Sequence, residues 1–327
     1  MKYTSILLVA LFTFCACKRN VDKSKLGPEV IIVPENFTIS GFTVMPTNNA
    51  NLAMSNPYLK SDFPQKAEYK ITYRGILSGA ETVITGTGEY LDSLNSAWTG
   101  ESDNIYMFKK NEKCEVKLSF RGATTEYIDT INIVSENKYD YITLVNDFEG
   151  YSINKNGPNG TYYGNYFDGT DIKNADINTD NISYAPQGYQ TLNMEGYDSN
   201  NSFYIGGFYF YPSTTYYTFK GNNLDSLYVN AYVYSYYDNS AILSVSFTDA
   251  DGDEFTLKDI SFTGTGWGLM NLPLKKFTDN NKNVGNGVIN QDKIIGFNLN
   301  FNAKTAGSYA HALIDYVNVS YGKPFNP

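Results

Sequence analysis

Apolar and polar residues alternate with a period of two along most of the chain, and no segment after residue 17 carries a sustained helical repeat. Such alternation sends successive side chains to opposite faces of a β-strand, so we expect a nearly all-β protein. The predicted strands of the first half are Glu68–Tyr73, Glu81–Leu91, Ile105–Phe108, Cys114–Arg121 and Tyr127–Val134.

The second half continues the pattern from Ile142 to Tyr321, after the polar loop Glu136–Tyr141. Its predicted strands are Ile142–Val145, Ser202–Tyr211, Ser226–Tyr236, Ala241–Thr248, Glu254–Leu257, Gly268–Pro273, Ile294–Phe301 and Ala310–Ser320. We expect an immunoglobulin-like β-sandwich over residues 35–138, followed by an antiparallel β jelly roll over residues 139–327.

The N-terminus has the pattern of an export signal, with Lys2 before the apolar run Ile6–Phe14. The run has about nine residues, whereas a membrane-spanning helix needs about 20, so it predicts a removable signal peptide. Phe14–Cys17 resembles a bacterial lipobox of the Bacteroides group, in which the cysteine is acylated. The resemblance implies lipidation at Cys17, a signal peptide and lipobox over residues 1–17, and a tether over residues 18–34. The alternative is an ordinary secretory signal that is cleaved nearby.

A lipid on Cys17 would place the protein in the cell envelope, anchored to the outer membrane and exposed at the cell surface. The acidic residues that usually follow the cysteine in surface-exported lipoproteins are replaced here by Lys18, Arg19 and Asn20. A location on the periplasmic side of the outer membrane is therefore the alternative. Cys114 is then the one cysteine left in the folded part, which predicts a buried, inert thiol and no disulfide.

The composition narrows the class of partner. The formal net charge is −9 and no Lys/Arg cluster is present, which argues against nucleic-acid binding. Aromatic residues make up 16% of the chain, with 29 Tyr, among many Asn and Gly. This combination is typical of exported β-proteins that meet uncharged polar ligands.

Several short motifs follow one another in the second half. They are Asp147–Gly150, Asp249–Asp253, Trp267, Ile294–Phe297 and Ile314–Val317. In this order they resemble the galactose-binding-like jelly rolls, in particular carbohydrate-binding modules and the complex I intermediate-associated domain. The resemblance covers most of residues 142–321 and implies carbohydrate binding, with Trp267 as a core residue.

The same resemblance implies a structural calcium ion that links the first and last strands, with Asp147, Glu149 and Asp315 as the positions to consider. Calcium takes six to eight oxygen ligands, which three carboxylates and backbone carbonyls can supply. Tyr316 stands where the family often has a second acid. The alternative is that the three acids cap strands or face solvent.

Asp249, Asp251 and Asp253 around Gly252 imitate the start of an EF-hand loop. The twelfth position is Ile260, where an EF-hand needs a bidentate Glu, so the sequence favours a tight hairpin.

The alternation within two strands also predicts a sugar-binding face. Tyr232 and Tyr234 lie opposite the apolar positions of their strand, and Asn298 and Asn300 do so in theirs. If these strands share one sheet, its outer face displays aromatic rings for the apolar face of a sugar, beside amides for its hydroxyls. The four residues are therefore the predicted ligand contacts. The preference of tyrosine for strands predicts the same alternation without any ligand.

Catalytic motifs are lacking in the sequence. His311 is the only histidine, and no nucleophile motif or zinc-ligand set accompanies it. A glycoside hydrolase, which needs only two carboxylates, remains open.

We therefore predict a non-catalytic envelope lipoprotein, held at the membrane by its lipid anchor only, that captures polysaccharide for uptake or degradation beside an outer-membrane glycan importer. The alternative is a structural or adhesive protein whose jelly roll binds a protein partner. A shallow groove with Tyr beside Asn would favour sugar, whereas an apolar aromatic face would favour protein.

Overall fold

The computed structural model describes residues 30–149, 185–212, 215–221, 223–236, 240–262, 264–280 and 284–327, with the backbones of Tyr166–Asp168 and Ile172–Asn178. Cys17, the predicted signal peptide and most of the predicted tether lie outside these residues. In the described part of the chain, no helix is long and apolar enough to cross a membrane.

The protein is nearly all β, which confirms the predicted fold class, and the only helical elements among the described residues are the 3₁₀ turns Leu224–Ser226 and Leu274–Lys276. The strands are β1 Ser40–Met45, β2 Asn49–Asn51, β3 Tyr58–Gly75, β4 Glu81–Leu91, β5 Lys113–Phe120, β6 Tyr127–Ser135, β7 Ile142–Asn146, β8 Tyr166–Asp168, β9 Ile172–Asn178, β10 Thr191–Tyr197, β11 Tyr204–Phe210, β12 Leu227–Ser235, β13 Ala241–Asp249, β14 Glu254–Ser261, β15 Gly266–Pro273, β16 Thr278–Asp279, β17 Ile294–Ala303 and β18 Tyr309–Tyr321.

Strands β1–β6 form one sheet, which we call sheet I, in the order β1-β3-β5-β6-β2 with β4 on β3. Its core includes Trp98, which is 1% exposed and stacks on Tyr73 with ring centroids 4.7 Å apart. Cys114 is also fully buried, and burial raises the pKa of its thiol. The predicted buried cysteine is thus confirmed, and a thiol held protonated is a poor nucleophile. The immunoglobulin-like identity of this first domain stays a prediction.

The predicted strand Ile105–Phe108 is wrong. The segment joins no sheet. Ile105 and Met107 pack where the two halves of the chain meet, whereas Phe108 packs on Trp98 in the core of the first domain. The Met107 N–H donates 2.8 Å to the Pro186 carbonyl, which lies in the second half. The alternating residues of this segment therefore face two different cores, which local alternation cannot distinguish from the two faces of a strand.

The second domain contains two sheets. Sheet II has the order β15-β12-β18-β10-β9 with β7 on β18, and sheet III has the order β16-β14-β13-β17-β11-β8. Val229 and Ile314 of sheet II share one buried core with Phe247, Phe297 and Phe301 of sheet III. All the strand pairs of sheets II and III that the structure describes are antiparallel. The second domain is therefore an antiparallel β-sandwich, in agreement with the predicted jelly roll.

The acidic motif at Asp249–Asp253 forms the hairpin turn between β13 and β14. Asp249 Oδ1 accepts hydrogen bonds from the Asp251 and Asp253 N–H groups, and Gly252 adopts the positive φ of 91° that the turn requires. The Asp253 carboxylate accepts two more from the N–H groups of Asn286 and Gly287. These bonds, with the pairing of β13 and β14, confirm the predicted hairpin.

The two domains share a third buried cluster, which we call the junction. Tyr232 and Tyr316 of sheet II pack there with Met107 and Tyr139 and with Phe325 from the C-terminal segment. Phe325 is 1% exposed, and its ring centroid lies 5.2 Å from that of Tyr139 and 6.2 Å from that of Tyr232. The C-terminal segment therefore fills the space between sheet II and the first domain.

We expect Phe325→Ala to lower the free energy of unfolding by about 3–5 kcal/mol, because it opens a cavity in the junction. Urea unfolding measures the change, and Asn326→Ala, at an exposed neighbouring side chain, is the control. If the two variants are equally stable, Phe325 does not hold the domains together.

Candidate functional site

The outer face of sheet III carries a regular array of polar and aromatic side chains. In β17, Phe297, Leu299 and Phe301 enter the core, whereas Asn298 and Asn300 point outward. The outward residues of the neighbouring strands extend this surface, which we call the platform. Its members are Tyr204, Tyr209 and Tyr211, Ser244, Ser246 and Thr248, and Asn298, Asn300 and Asn302.

Strand register sets the spacing of these groups. Asn298 lies directly opposite Ser246 on one side and Tyr209 on the other, and Asn300 lies between Ser244 and Gly207. Rows in adjacent antiparallel strands place such partners about 4.5–5.5 Å apart. The platform therefore brings hydroxyl, amide and phenol groups together in rows across the sheet.

Gly207 makes room for the amides. A Cβ atom at this position would lie 2.9 Å from Asn300 Oδ1 and 3.3 Å from the Tyr204 hydroxyl. Asn298 Nδ2 in turn donates 3.1 Å to Asn300 Oδ1. The absence of a side chain at Gly207 therefore allows the two asparagines and Tyr204 to lie close together.

Two shallow hollows follow the platform. The larger, of about 520 Å³, includes Tyr204, Ser244 and Asn300, and the smaller, of about 350 Å³, includes Tyr209 and Asn298. Glu254 lines both hollows, while Lys258, Asp259 and Lys304 line only the larger. The side chains that β11, β13 and β17 contribute to the platform are all uncharged.

One acceptor in the platform is unsatisfied. Asn298 Oδ1 is buried and has no hydrogen-bond partner. A buried acceptor without a donor costs roughly 1–3 kcal/mol, which a donor brought by a ligand or by water would recover.

The structure thus brings together two of the four predicted contact residues, Asn298 and Asn300. Their aromatic neighbours are Tyr204 and Tyr209, which the sequence analysis did not nominate. The sequence could have predicted Tyr209, because it lies between Phe208 and Phe210 in a strand. Both phenylalanines are fully buried, so the Tyr209 side chain points to the outer face.

The other two predicted contacts, Tyr232 and Tyr234, do not belong to this surface. Their strand β12 lies in sheet II, so the assumption of one shared sheet is wrong. Tyr232 is 0% exposed because Phe325 and the first domain cover it. Tyr234 is half-buried with its ring edge-on to Trp267, 5.5 Å between centroids.

Trp267 and His311 also lie on the outer face of sheet II. The tryptophan is only partly buried, which corrects its prediction as a core residue. The His311 ring stacks on Tyr236 at 3.8 Å, and its Nε2 lies 2.7 Å from Asn193 Oδ1. The single histidine is therefore engaged on the sheet opposite the platform.

The three acids predicted to bind calcium lie beside the junction. Asp315 is fully buried and its Oδ2 accepts a 3.0 Å hydrogen bond from the Gln187 N–H. Glu149 Oε1 accepts from the N–H groups of Tyr189 and Gln190 at 2.6 and 2.7 Å. Burial raises the pKa of all three acids, and the charge of Glu149 raises the pKa of Asp315 further.

Calcium takes six to eight oxygen ligands. Backbone N–H groups bond to one oxygen of each of these three carboxylates. Across the described residues, no group of three His, Cys, Asp or Glu side chains has the arrangement of a metal site. Calcium binding at these acids stays a prediction.

No protein-family model matches the sequence, and no curated protein matches it. Among solved structures, the family 11 carbohydrate-binding module from Clostridium thermocellum in complex with a β-1,3-1,4-mixed-linked tetrasaccharide is 12% identical. The match covers 55% of this chain and 96% of the module, with a TM-score of 0.35.

Two further structures are similar at the same level. The CBM22-1 xylan-binding domain from Paenibacillus barcinonensis Xyn10C is 16% identical over 56% of this chain and 95% of its own, with a TM-score of 0.32. SGBP-B from a complex xyloglucan utilization locus in Bacteroides uniformis is 11% identical over 86% of this chain and 72% of its own, with a TM-score of 0.39. At this level of similarity, individual residues of the known structures cannot be matched to residues of this chain. A functional proposal therefore has to rest on the residues of the platform.

The buried acids predict a pH effect on stability. Folding raises the pKa of Asp315 well above its ordinary value of 3.8. The stability that the protonated carboxyl gives to the fold is therefore fully present below about pH 3.8, and it is lost as the pH rises through the folded pKa. Glu136, Asp147 and Glu149 shift in the same direction, whereas the Lys109 charge opposes the shift of Asp315.

Asp315→Asn cannot ionise, so we expect its stability relative to the wild type to rise as the pH increases from 4 to 8. Urea unfolding across this range measures the difference, with Asp140→Asn, at an exposed acid, as the control. A constant difference between Asp315→Asn and the wild type would contradict the raised pKa.

Proposed function

We propose that this chain is a non-catalytic glycan-binding protein and that the platform on sheet III is its binding surface. The observation that carries the proposal is the register that sets Tyr209 beside Asn298 and Ser246 in one row. A pyranose ring has an apolar C–H face and a rim of hydroxyls, and this row offers an aromatic ring beside hydrogen-bonding groups.

The form of the surface supports a long ligand. The two hollows share Glu254 and follow one sheet face, so a chain of sugars could occupy both. Tyrosine contributes contact area with few rotatable bonds and keeps a polar tip, which suits an open, wet groove. Strands also hold these groups more rigidly than loops would.

The same features weigh against a protein partner as the ligand of this face. An interface of that kind would favour a contiguous apolar patch, whereas the half-buried Asn298 and Asn300 form the centre of the platform. A shallow groove with Tyr beside Asn is the arrangement that favours sugar.

Hydrolysis of the glycan would need a pair of carboxylates. Glu254 and Asp259 both line the larger hollow, which makes a direct assay worthwhile. We expect no new reducing ends from polysaccharides incubated with the protein. Release of reducing ends that Glu254→Gln abolishes would show a hydrolase instead.

We further propose a place for the protein in the cell envelope, with lipid on Cys17 and with the platform capturing polysaccharide for a neighbouring outer-membrane importer. The lipobox supports the anchor. The shared junction supports a fixed spacing between the anchor side and the platform, because sheet II faces the first domain while the platform occupies the other sheet.

Calorimetric titration of the protein with a panel of neutral soluble polysaccharides tests the binding surface. Loss of hydrogen bonds worth about 0.5–1.5 kcal/mol each predicts that Asn298→Ala/Asn300→Ala weakens binding roughly 5- to 100-fold. We expect Tyr209→Ala, which removes the stacking ring, to weaken it as well.

Matched controls lie off the platform. Asn271→Ala on the outer face of sheet II and Tyr90→Ala in the first domain, both exposed, should bind as the wild type does. Unchanged binding by the platform variants would move the site elsewhere. No heat with any glycan from a folded protein would favour the protein-partner alternative.

The anchor is tested by expressing Cys17→Ser beside the wild type in a Gram-negative host. We expect the wild type in the detergent-soluble membrane fraction and the variant, which has no thiol to acylate, in the aqueous fraction or uncleaved. Equal release of both proteins would support an ordinary secretory signal.

A further inference from the structure

An exposed phenylalanine lies at one end of the platform. Phe203 directly precedes β11, lines the larger hollow beside Tyr204 and is 49% exposed. The next two phenylalanines of the chain, Phe208 and Phe210, are fully buried in the core. The Phe203 ring therefore offers, at the edge of a polar surface, apolar area that a ligand can cover.

The backbone of Phe203 is held in an uncommon conformation. Its φ is 66°, which a residue with a bulky side chain rarely adopts and which persists only where the surrounding structure imposes it. The Phe203 N–H donates 2.9 Å to Asp198 Oδ2, and the Phe203 carbonyl accepts 2.7 Å from the Ala303 N–H. Residues at the ends of β10 and β17 therefore fix the backbone that carries the exposed ring.

Asp198 connects two loops at this end of the sheet. Its side chain is fully buried, and its carboxylate also accepts hydrogen bonds from the N–H groups of Ser202 and Gly307, at 2.9 and 2.8 Å. Ser202 belongs to the loop before β11, whereas Gly307 belongs to the loop between β17 and β18. One carboxylate thus joins the two loops from which Phe203 and Lys304 line the larger hollow.

We propose that Phe203 is a specificity-determining residue of the platform, whose ring stacks on a sugar at the end of the larger hollow, and that Asp198 is its positioning residue. Tyr209, which lines the smaller hollow, follows Phe203 by six residues, or about 20 Å in an extended strand. A single sugar or a disaccharide is too short to contact both rings. The ligand class is therefore a glycan chain of several sugars that lies along β11. This inference rests on the proposed function, because it concerns the same surface.

Calorimetric titration with β-glucan, xylan, mannan and pullulan, and with di- to hexasaccharides prepared from each, tests the inference. We expect Phe203→Ala to weaken binding of the polysaccharides and hexasaccharides roughly 2- to 10-fold, the loss expected for one stacking contact. Disaccharides cannot contact both rings, so the gain in affinity from disaccharide to hexasaccharide should be smaller in Phe203→Ala than in the wild type.

Two variants serve as controls for the loss of the ring. Phe203→Tyr keeps an aromatic ring at the same position and should bind each probe as the wild type does. Tyr90→Ala removes an aromatic side chain of the first domain that is 53% exposed, and it should also leave binding unchanged.

A double-mutant cycle tests the positioning role of Asp198. Asp198→Asn keeps the shape of the side chain but replaces one acceptor oxygen with a donor. We expect it to weaken binding of the polysaccharide in the wild-type background and to cause no further loss in Phe203→Ala. An equal loss in both backgrounds would show that Asp198 acts on the fold and does not act through Phe203. If Asp198→Asn does not fold, Phe203→Ala and Phe203→Tyr still decide the role of the ring.

The failure of this inference differs from the failure of the proposed function. Equal binding by Phe203→Ala and the wild type, together with weakened binding by Asn298→Ala/Asn300→Ala, would overturn the role of Phe203 and leave the platform in place. An equal loss for disaccharides and hexasaccharides would overturn the requirement for a long chain. A folded wild type that binds none of the probes would contradict both the inference and the proposed function.

Discussion

Burial of one end of the outer face of sheet II is the constraint on which the rest of the second domain depends. A two-sheet sandwich has two outer faces, and strand alternation makes them look alike. Here Met107 of the first domain, Tyr139 directly after that domain and Phe325 of the C-terminal segment cover Tyr232 and Tyr316. The tyrosines of β12 therefore contribute to a third core, and the opposite sheet is left to present a polar surface.

This covering has an electrostatic consequence. The segments that meet at the junction carry acids from both domains, and their removal from water raises the pKa of Glu136, Glu149 and Asp315. Backbone N–H groups offset part of that cost, and the charge of Lys109 lowers the pKa of Glu136 and of Asp315 in the same direction.

The platform follows from rigid strands. Its amides, hydroxyls and phenols are spaced by the register of β11, β13 and β17, and Gly207 allows Asn300 and Tyr204 to approach each other. A glycan that binds there meets groups already in place, so little ordering entropy opposes binding. The second domain thus has a closed junction with several acids on one sheet and, on the other sheet, a surface to which β11, β13 and β17 contribute uncharged side chains.

The amino-acid pattern by itself determined most of the strands, the all-β class, the buried Cys114, the Asp249–Asp253 hairpin and the outward direction of Asn298 and Asn300. All of these depend on neighbours close in the chain or on the period of two. Only the tertiary structure decided that β12 lies in a different sheet from β17, that Ile105 and Met107 pack between domains, and that Tyr232 is buried while Tyr209 lies beside Asn298. The alternation of a strand predicts which side chains point away from the core of their own domain. Whether that outer face meets solvent or another part of the chain depends on contacts between residues far apart in sequence, which local patterns do not reveal.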